Sequence, residues 1–153
     1  MDVTFRLTPQ RSSPALVLEA PALTPEMEAL LHSLRAQFSP SLPCVRGGET
    51  FLLPPDALCL FYAQDKSVFA RDRDGAIYSL SLRLYELEDR LDPCRFVRIS
   101  HSEIVNLTAV TALDLSLSGT IRITLSDGSA CYVSRRNVRK IKEALGLVRR
   151  NPR

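Results

Sequence analysis

Positively charged side chains crowd the end of the chain. The eleven residues that begin at Arg135 hold five cations and a single acid, Glu143. The cations are Arg135, Arg136, Arg139, Lys140 and Lys142. Cations at this density bind phosphate groups, or they solvate the exposed face of a helix. The segment by itself leaves both interpretations open.

The charge is distributed unevenly along the chain. The 153 residues carry a net charge of +3, but residues 1–94 hold 9 Lys+Arg against 13 Asp+Glu, and residues 95–153 hold 11 against 4. A basic final third on an otherwise acidic chain favours a surface that faces a polyanion, usually nucleic acid and less often a membrane. A merely solvated face is the alternative.

Residues that perform covalent or metal chemistry are scarce. The chain has two histidines and four cysteines, and no two cysteines form a C-x-x-C pair. Without a nucleophile–base pair, a metal cluster or a Gly-rich phosphate loop, we expect no enzyme and no metal or cofactor. Cys59 and Cys131 lie in apolar runs and are expected to be buried thiols. No export signal or membrane-spanning run is visible, so we expect a cytoplasmic protein.

The elements that must position the basic segment are mostly short strands. From residue 49 onward, apolar runs alternate with turn residues such as Asp65-Lys66 and Asp127-Gly128. Strands are predicted over residues 49–53, 57–63, 68–71, 76–80, 95–99, 110–117, 120–125 and 130–133, with a short apolar pair at 104–105. This pattern predicts a mainly β fold with short helices, of the α+β class.

Two helices are predicted among these strands. Leucines between residues 80 and 91 recur at helical spacing, and Pro93 ends that helix. A last helix begins near Arg135, with Ser134 as its N-cap, and separates an apolar side from a cationic side. Asn106, which ends an apolar run, is interpreted as a turn or structural hydrogen-bonding residue. Five aromatic residues are predicted to be mostly core: Tyr62, Phe69, Tyr85, Phe96 and Tyr132.

The first 48 residues have a different pattern. Residues 3–7 and 15–18 are predicted to form a β-hairpin, and Thr24-Pro25 begins an amphipathic helix. Residues 39–48, rich in Pro and Gly, are predicted to be a linker. We therefore divide the chain into an N-terminal extension over 1–48, which packs on the rest or dimerises, and a domain over 49–153. The apolar stripe of the helix is Met27, Leu30, Leu31, Leu34 and Phe38.

The order of motifs from residue 49 to about 147 resembles the LytTR DNA-binding domain of bacterial transcription regulators. The matching segments are 58–63 with Asp65-Lys66-Ser67, then 80–88, 96–107, Asp127-Gly128, and 133–138 with the basic helix. The resemblance implies an elongated arrangement of small antiparallel sheets, distinct from a helix-turn-helix. Only about 48 residues precede the match, so the chain resembles the small, stand-alone members of the family that lack a receiver domain.

The resemblance also implies three DNA-facing loops. By position, the first is Asp65, Lys66, Ser67 and Val68, the second Ser100, His101 and Ser102, and the third Ser134, Arg135, Arg136 and Asn137. Two positions depart from the family pattern. Val68 can offer DNA only an apolar contact, and a histidine at position 101 makes its contact dependent on pH.

Physical roles can be assigned to the cations of these segments. The planar fork of Arg136 suits a bidentate contact with a guanine in the major groove. Phosphate contacts set position more than sequence, and they are expected from Lys66, Arg98, Arg135, Arg139 and Lys140. Ser134, as a cap, would place backbone N–H groups at a helix start that can bind phosphate.

These observations favour a sequence-specific transcription regulator that binds double-stranded DNA, as a homodimer on repeated half-sites. The alternative is a protein-interaction or small-ligand module that uses the same fold without specific DNA binding. Recognition of single-stranded RNA is disfavoured, because it needs an exposed row of aromatic residues. The effector, or the partner protein that controls the regulator, is not specified by the sequence.

Overall fold

The computed structural model describes residues 7, 9–10, 15–38, 40–116 and 118–147. Within these ranges the chain is mainly β with three short helices, as predicted. The helices are α1 (Pro25–Phe38), α2 (Leu84–Arg90) and α3 (Val138–Ala144). The strands are β1 (Leu42–Arg46), β2 (Glu49–Leu53), β3 (Leu58–Gln64), β4 (Ser67–Asp72), β5 (Ile77–Leu80), β6 (Phe96–Ser100), β7 (Glu103–Asn106), β8 (Val110–Asp114), β9 (Ile121–Leu125) and β10 (Ala130–Val133).

Two antiparallel sheets organise these strands. The larger sheet has seven strands in the order β2-β1-β5-β4-β3-β7-β6, and the smaller has three in the order β10-β9-β8. Most neighbours are also consecutive in sequence, which is typical of strands joined by tight turns. Strand β3 departs from this pattern, because one of its two neighbours is the later strand β7. This pairing determines the position of the site described below. Strands β6 to β10 separate α2 from α3, so these two helices do not form a helix-turn-helix.

Each face of the larger sheet carries its own apolar core. Alternate residues of a strand point to opposite faces, so Phe61 and Ile104 pack beneath α2 in the first core. Leu60 and Val105, from the same two strands, pack against the smaller sheet in the second core. Ile141 of α3 is also buried in the second core. The adjacent strands β3 and β7 therefore belong to both cores.

The N-terminal extension differs from its prediction. Residues 15–20 are irregular, so the strand predicted over 15–18 is wrong, and the strand predicted over 3–7 lies outside the described residues except for Leu7. Leu16 and Val17 are exposed. Helix α1 begins as predicted: Thr24 Oγ1 accepts a hydrogen bond from the backbone N–H of Met27 at 3.3 Å.

The linker predicted over residues 39–48 is also wrong, because β1 lies within it. Leu42 and Cys44 are buried, and β1 pairs with both β2 and β5. Gly47 and Gly48 both have positive φ, so they form the tight β1–β2 turn rather than a flexible joint. The division at residue 48 stays a prediction, although β1 lies before it and pairs with strands that lie after it.

The leucine repeat between residues 80 and 91 is divided between two elements. Leu80 ends β5, where it pairs with Val68, and the helix occupies only Leu84–Arg90. Sheet pairing outcompetes helical spacing at Leu80 because its backbone groups gain a strand partner. Tyr85 and Tyr132 are 65% and 55% exposed, so the prediction that they belong to the core is wrong, whereas Phe96 is buried as expected.

Candidate nucleic-acid interface

The segments predicted to face DNA lie at one end of the larger sheet. We call residues 65–67 loop 1, residues 100–102 loop 2 and residues 134–137 loop 3. Because β3 is antiparallel to both β4 and β7, the turns that carry loops 1 and 2 emerge at the same edge. The backbone N–H of Ala63 donates to the carbonyl of Ser102 at 2.8 Å. Loops 1 and 2 are therefore adjacent.

Loop 3 joins the same end through the backbone. The N–H of Ser134 donates to the carbonyl of Ile99 at 2.8 Å, directly before loop 2. The structure thus brings together loop segments from three separate regions of the sequence. Lys66, Ser67, His101, Arg135 and Arg136 are exposed there, and Ser100, Ser102, Ser134 and Asn137 are half-buried.

Loop 1 is a tight turn with an unusual backbone. Asp65 and Lys66 have φ of 50° and 64°, and Gln64 pairs with Ser67 across the turn. Two successive positive φ values match the twist of the flanking strands. Lys66 is exposed in this turn, so its side chain is accessible from solvent.

Val68 is not part of the exposed loop. Its side chain is 5% exposed and lies in the first core. The alternation of the strand explains this position, since Ser67 faces solvent and the next residue faces inward. The expectation that Val68 offers DNA an apolar contact is therefore wrong.

Loop 2 is ordered by its own polar groups. Ser100 Oγ accepts from the N–H of Ser102 at 3.3 Å and donates to Glu103 Oε2 at 3.3 Å. Burial raises the pKa of Glu103, and the Ser100 hydrogen bond acts in the opposite direction. His101 is exposed at the tip, so its ring is available to a ligand.

Arg98 is engaged inside the protein. Its Nε donates to the carbonyl of Ser100 at 2.9 Å, its Nη2 donates to the carbonyl of His101, and its Nη1 forms an ion pair with Glu88. This geometry opposes the expectation that Arg98 binds phosphate, because its donors are already directed at protein acceptors.

Loop 3 begins as a tight turn rather than as a capped α-helix. A 3-10 turn over Arg135–Asn137 precedes α3, and Ser134 Oγ caps no backbone N–H. That hydroxyl instead accepts from Asn137 Nδ2 at 2.7 Å. The predicted cap is therefore wrong, and the helix-start phosphate site inferred from it has no support. The reason is that the side chain of Asn137 outcompetes the backbone for the hydroxyl.

Arg135 lies against a glycine turn. A Cβ placed on Gly119 would come within 3.2 Å of Arg135 Nε, and Gly119 has a positive φ of 74°. The positive φ favours glycine at this position, and a Cβ there would require the Arg135 side chain to shift slightly. The turn at 118–119 therefore forms one wall of loop 3, a neighbour that sequence analysis missed.

Helix α3 has the two sides that its sequence predicts. Ile141 is buried, while Val138 and Leu145 are half-buried against the second core. Arg139 and Lys140 are exposed. Arg139 Nε contacts Glu143 Oε1 at 3.1 Å, which partly neutralises its charge, so Lys140 is the freer of the two cations.

Two further residues support the loops and were missed from the sequence. Arg83 Nη1 donates to the carbonyl of Lys66 at 3.3 Å, and Glu88 holds Arg98 as described above. Both contacts join residues ten or more positions apart, so no local sequence signal identifies them. Asn106, in contrast, is the structural hydrogen-bonding residue that was predicted.

Metal ligands, long apolar helices and thiols were the other features that could indicate a function. No group of three or more His, Cys, Asp or Glu side chains that could hold a metal ion occurs among the described residues. No described helix is long and apolar enough to span a bilayer. Cys59 and Cys131 are buried as predicted, and Cys44 is buried too. Burial raises the pKa of Cys131 to about 12, which keeps this thiol protonated and inert.

Comparison with known proteins identifies the family of the chain. Residues 48–146 match the model of the LytTr DNA-binding domain family. An uncharacterized HTH-type transcriptional regulator of Staphylococcus aureus (bovine strain RF122) is 34% identical over 131 residues, which cover 85% of this chain and 88% of that protein. A regulator of the same description from strain NCTC 8325 is 49% identical over 70 residues, 46% of this chain and 47% of that protein.

The fold itself has a solved counterpart. A LytTr DNA-binding domain from a methyl-accepting/DNA response regulator of Bacillus cereus superposes with a TM-score of 0.66 at 20% sequence identity. The match covers 70% of this chain and 97% of that domain. This confirms the predicted architecture of small antiparallel sheets with short helices. The chain belongs to the LytTr DNA-binding domain family.

Proposed function

We propose that this protein is a regulator of transcription that binds double-stranded DNA sequence-specifically through loops 1, 2 and 3. The observation that carries the proposal is the convergence of the three loops at one end of the sheet, held by the Ala63–Ser102 and Ser134–Ile99 backbone hydrogen bonds. Membership in a family of DNA-binding domains indicates that the ligand is DNA. The protein acts where the chromosome is, in the cytoplasm, and performs no catalysis.

The roles of the loop side chains follow from their exposure. Arg136 reads a guanine bidentately, because it is exposed and forms no ion pair within the described residues. Lys66, Arg135 and Lys140 contact phosphates, with a smaller contribution from Arg139. Ser67, Ser100, His101, Ser102, Ser134 and Asn137 line the surface between these cations and offer hydrogen bonds to bases or backbone.

A homodimer on repeated half-sites suits this small interface. In α1, Met27, Leu30, Leu31 and Leu34 are only half-buried within one chain, so a two-fold contact between α1 helices would remove more of their apolar surface from water.

The decisive experiment is selection from a random duplex library, followed by anisotropy titrations of the wild type, Arg136→Ala and Arg73→Ala. Arg73 is exposed just beyond the end of β4 that lies away from loop 1, where it donates to the carbonyl of Asp56 and the hydroxyl of Thr108. Its variant removes an equal charge away from the interface, and the melting temperatures of both variants show whether each is folded. We expect a recovered motif, and a loss of about 1–3 kcal/mol of discrimination in Arg136→Ala alone. Motif-free binding that is indifferent to Arg136 would contradict the proposal and favour a protein-interaction or small-ligand module.

A further inference from the structure

We propose that Arg98 is a positioning residue: Glu88 of α2 holds its guanidinium so that it fixes the backbone of loop 2 for DNA. The inference rests on the proposed function and deepens it. It replaces the phosphate-binding role that the sequence suggested for Arg98, and it gives α2 a part in recognition.

The hydrogen bonds of Arg98 carry the argument. Its three guanidinium nitrogens each have a different protein acceptor: Nε has the carbonyl of Ser100, Nη2 the carbonyl of His101 and Nη1 the carboxylate of Glu88. An arginine that binds phosphate presents two parallel N–H groups outward. Here those directions are occupied by two successive carbonyls of loop 2, so the guanidinium supports the loop from within.

The surroundings of Arg98 fit a structural tether. Its side chain is 22% exposed, and with Glu88 it lines a cavity of about 90 Å³ whose walls include Leu91, Phe96 and Lys140. Arg98 is partly shielded from water while Glu88 stays exposed, so the ion pair is a partly exposed one that acts together with the two hydrogen bonds to loop 2. Loop 2 is thereby tied to α2 rather than supported by the sheet alone.

Loop 1 has a corresponding tether at the other end of α2. Arg83, the residue directly before the helix, donates to the carbonyl of Lys66. Both loops thus receive arginine-to-carbonyl hydrogen bonds, one from Arg83 beside α2 and the others from Arg98 of β6, whose guanidinium is paired with Glu88 of α2. Loops held in this way bind DNA at a smaller cost of ordering them.

The inference predicts a change in DNA affinity that is opposite in sign to the change that net charge alone predicts. Removing the carboxylate of Glu88 makes the protein more cationic, which by itself tightens binding to a polyanion. If Glu88 positions Arg98, removal of the carboxylate releases loop 2 and weakens binding to the selected sequence. Charge and position thus predict opposite changes in affinity.

The test compares Glu88→Gln with Asp89→Asn. Asp89 is exposed on the same helix, and its carboxylate forms no ion pair within the described ranges, so the two variants change the charge equally. Affinities for the selected duplex and for a scrambled duplex are measured at three salt concentrations. We expect Glu88→Gln to bind the selected duplex about fivefold more weakly or worse, equivalent to the loss of one net hydrogen bond. Asp89→Asn should bind it as well as the wild type or better.

Arg98→Ala separates the positioning role from a phosphate contact. A positioning residue leaves the slope of log K against log salt unchanged, whereas loss of one phosphate contact makes this negative slope shallower by about 0.9. A shallower slope, or a Glu88→Gln variant that binds like Asp89→Asn, would overturn the inference. Because Glu88 is 44% exposed, its variant should fold even if Arg98→Ala does not. A wild type that selects no motif would instead overturn the proposed function, and the inference with it.

Discussion

Asn106 Nδ2 donates a hydrogen bond to the carbonyl of Leu58 at 2.9 Å, across 48 positions of sequence. Asn106 is fully buried, and its Oδ1 accepts from both the N–H and the hydroxyl of Thr108. One amide therefore joins the start of β3 to the turn that leads into the smaller sheet.

Replacing Asn106 should destabilise the fold. We expect Asn106→Ala to lower the free energy of unfolding by about 1–3 kcal/mol, because buried backbone groups lose their partners. Urea titration measures the change. Thr108→Val, which removes only a hydroxyl and leaves the Leu58 contact, is the control and should cost less. Equal losses in the two variants would contradict the importance of the bond to Leu58.

Val68 should matter for stability and not for DNA choice. Its burial in the first core predicts that Val68→Ala costs about 1–3 kcal/mol of unfolding free energy. The preferred duplex and its relative affinity should stay as in the wild type. Repeating the library selection with this variant checks the second point, and a changed motif would return Val68 to the interface.

Glu103 should make stability depend on pH. Burial raises the pKa of its carboxyl above the ordinary value of 4.5, so the folded state binds this proton more tightly than the unfolded state. Stability therefore falls as the pH rises from the ordinary value through the raised one. We expect Glu103→Gln to flatten this part of the profile and to raise the melting temperature at neutral pH. Melting curves at several pH values, with Glu86→Gln as the control, test this; an unchanged profile would contradict it.

Dimerisation through α1 can be tested with one charge. Leu30→Glu places a carboxylate in the half-buried stripe, whereas Ser33→Glu places it on an exposed position of the same helix. If two α1 helices pair, only the first variant should become monomeric, because the interface cannot hydrate the charge. Sedimentation velocity measures the mass. A monomeric wild type would show instead that the stripe serves its own chain.

Much of the fold follows from local sequence chemistry. The Asp127-Gly128 turn and the alternation on either side of it specify the β9–β10 hairpin without reference to the rest of the chain. Thr24-Pro25 specifies the start of α1 in the same way. At these two places the local prediction is confirmed.

The remaining features depend on partners that the sequence does not name. Leu80 satisfies a helical repeat, but its strand pairing with Val68 determines its structure. The strand β1 contains Pro43 and is followed by Gly47 and Gly48, which favour a linker, although the alternation of Leu42 and Cys44 also fits a strand.

The residues of the candidate site also fall into two groups, those that the sequence predicts and those that it does not. The exposed cations of loops 1 and 3 could be selected from charge and family position. Arg98 could not be distinguished from them, because its partners Glu88 and Ser100 are specified only by the packing of α2 on the sheet. A cation's role thus depends on where its donors are directed, which composition does not reveal.

The sharing of β3 and β7 between two cores has a consequence for motion. Neither core can open without disturbing a strand of the other, so the two should melt as one cooperative unit, and the amides of these strands should exchange with solvent last. Loop 1 follows β3 and loop 2 leads into β7, so each loop is attached to one of the two shared strands. The surface proposed to meet DNA is thus anchored in the part of the molecule that we expect to exchange most slowly.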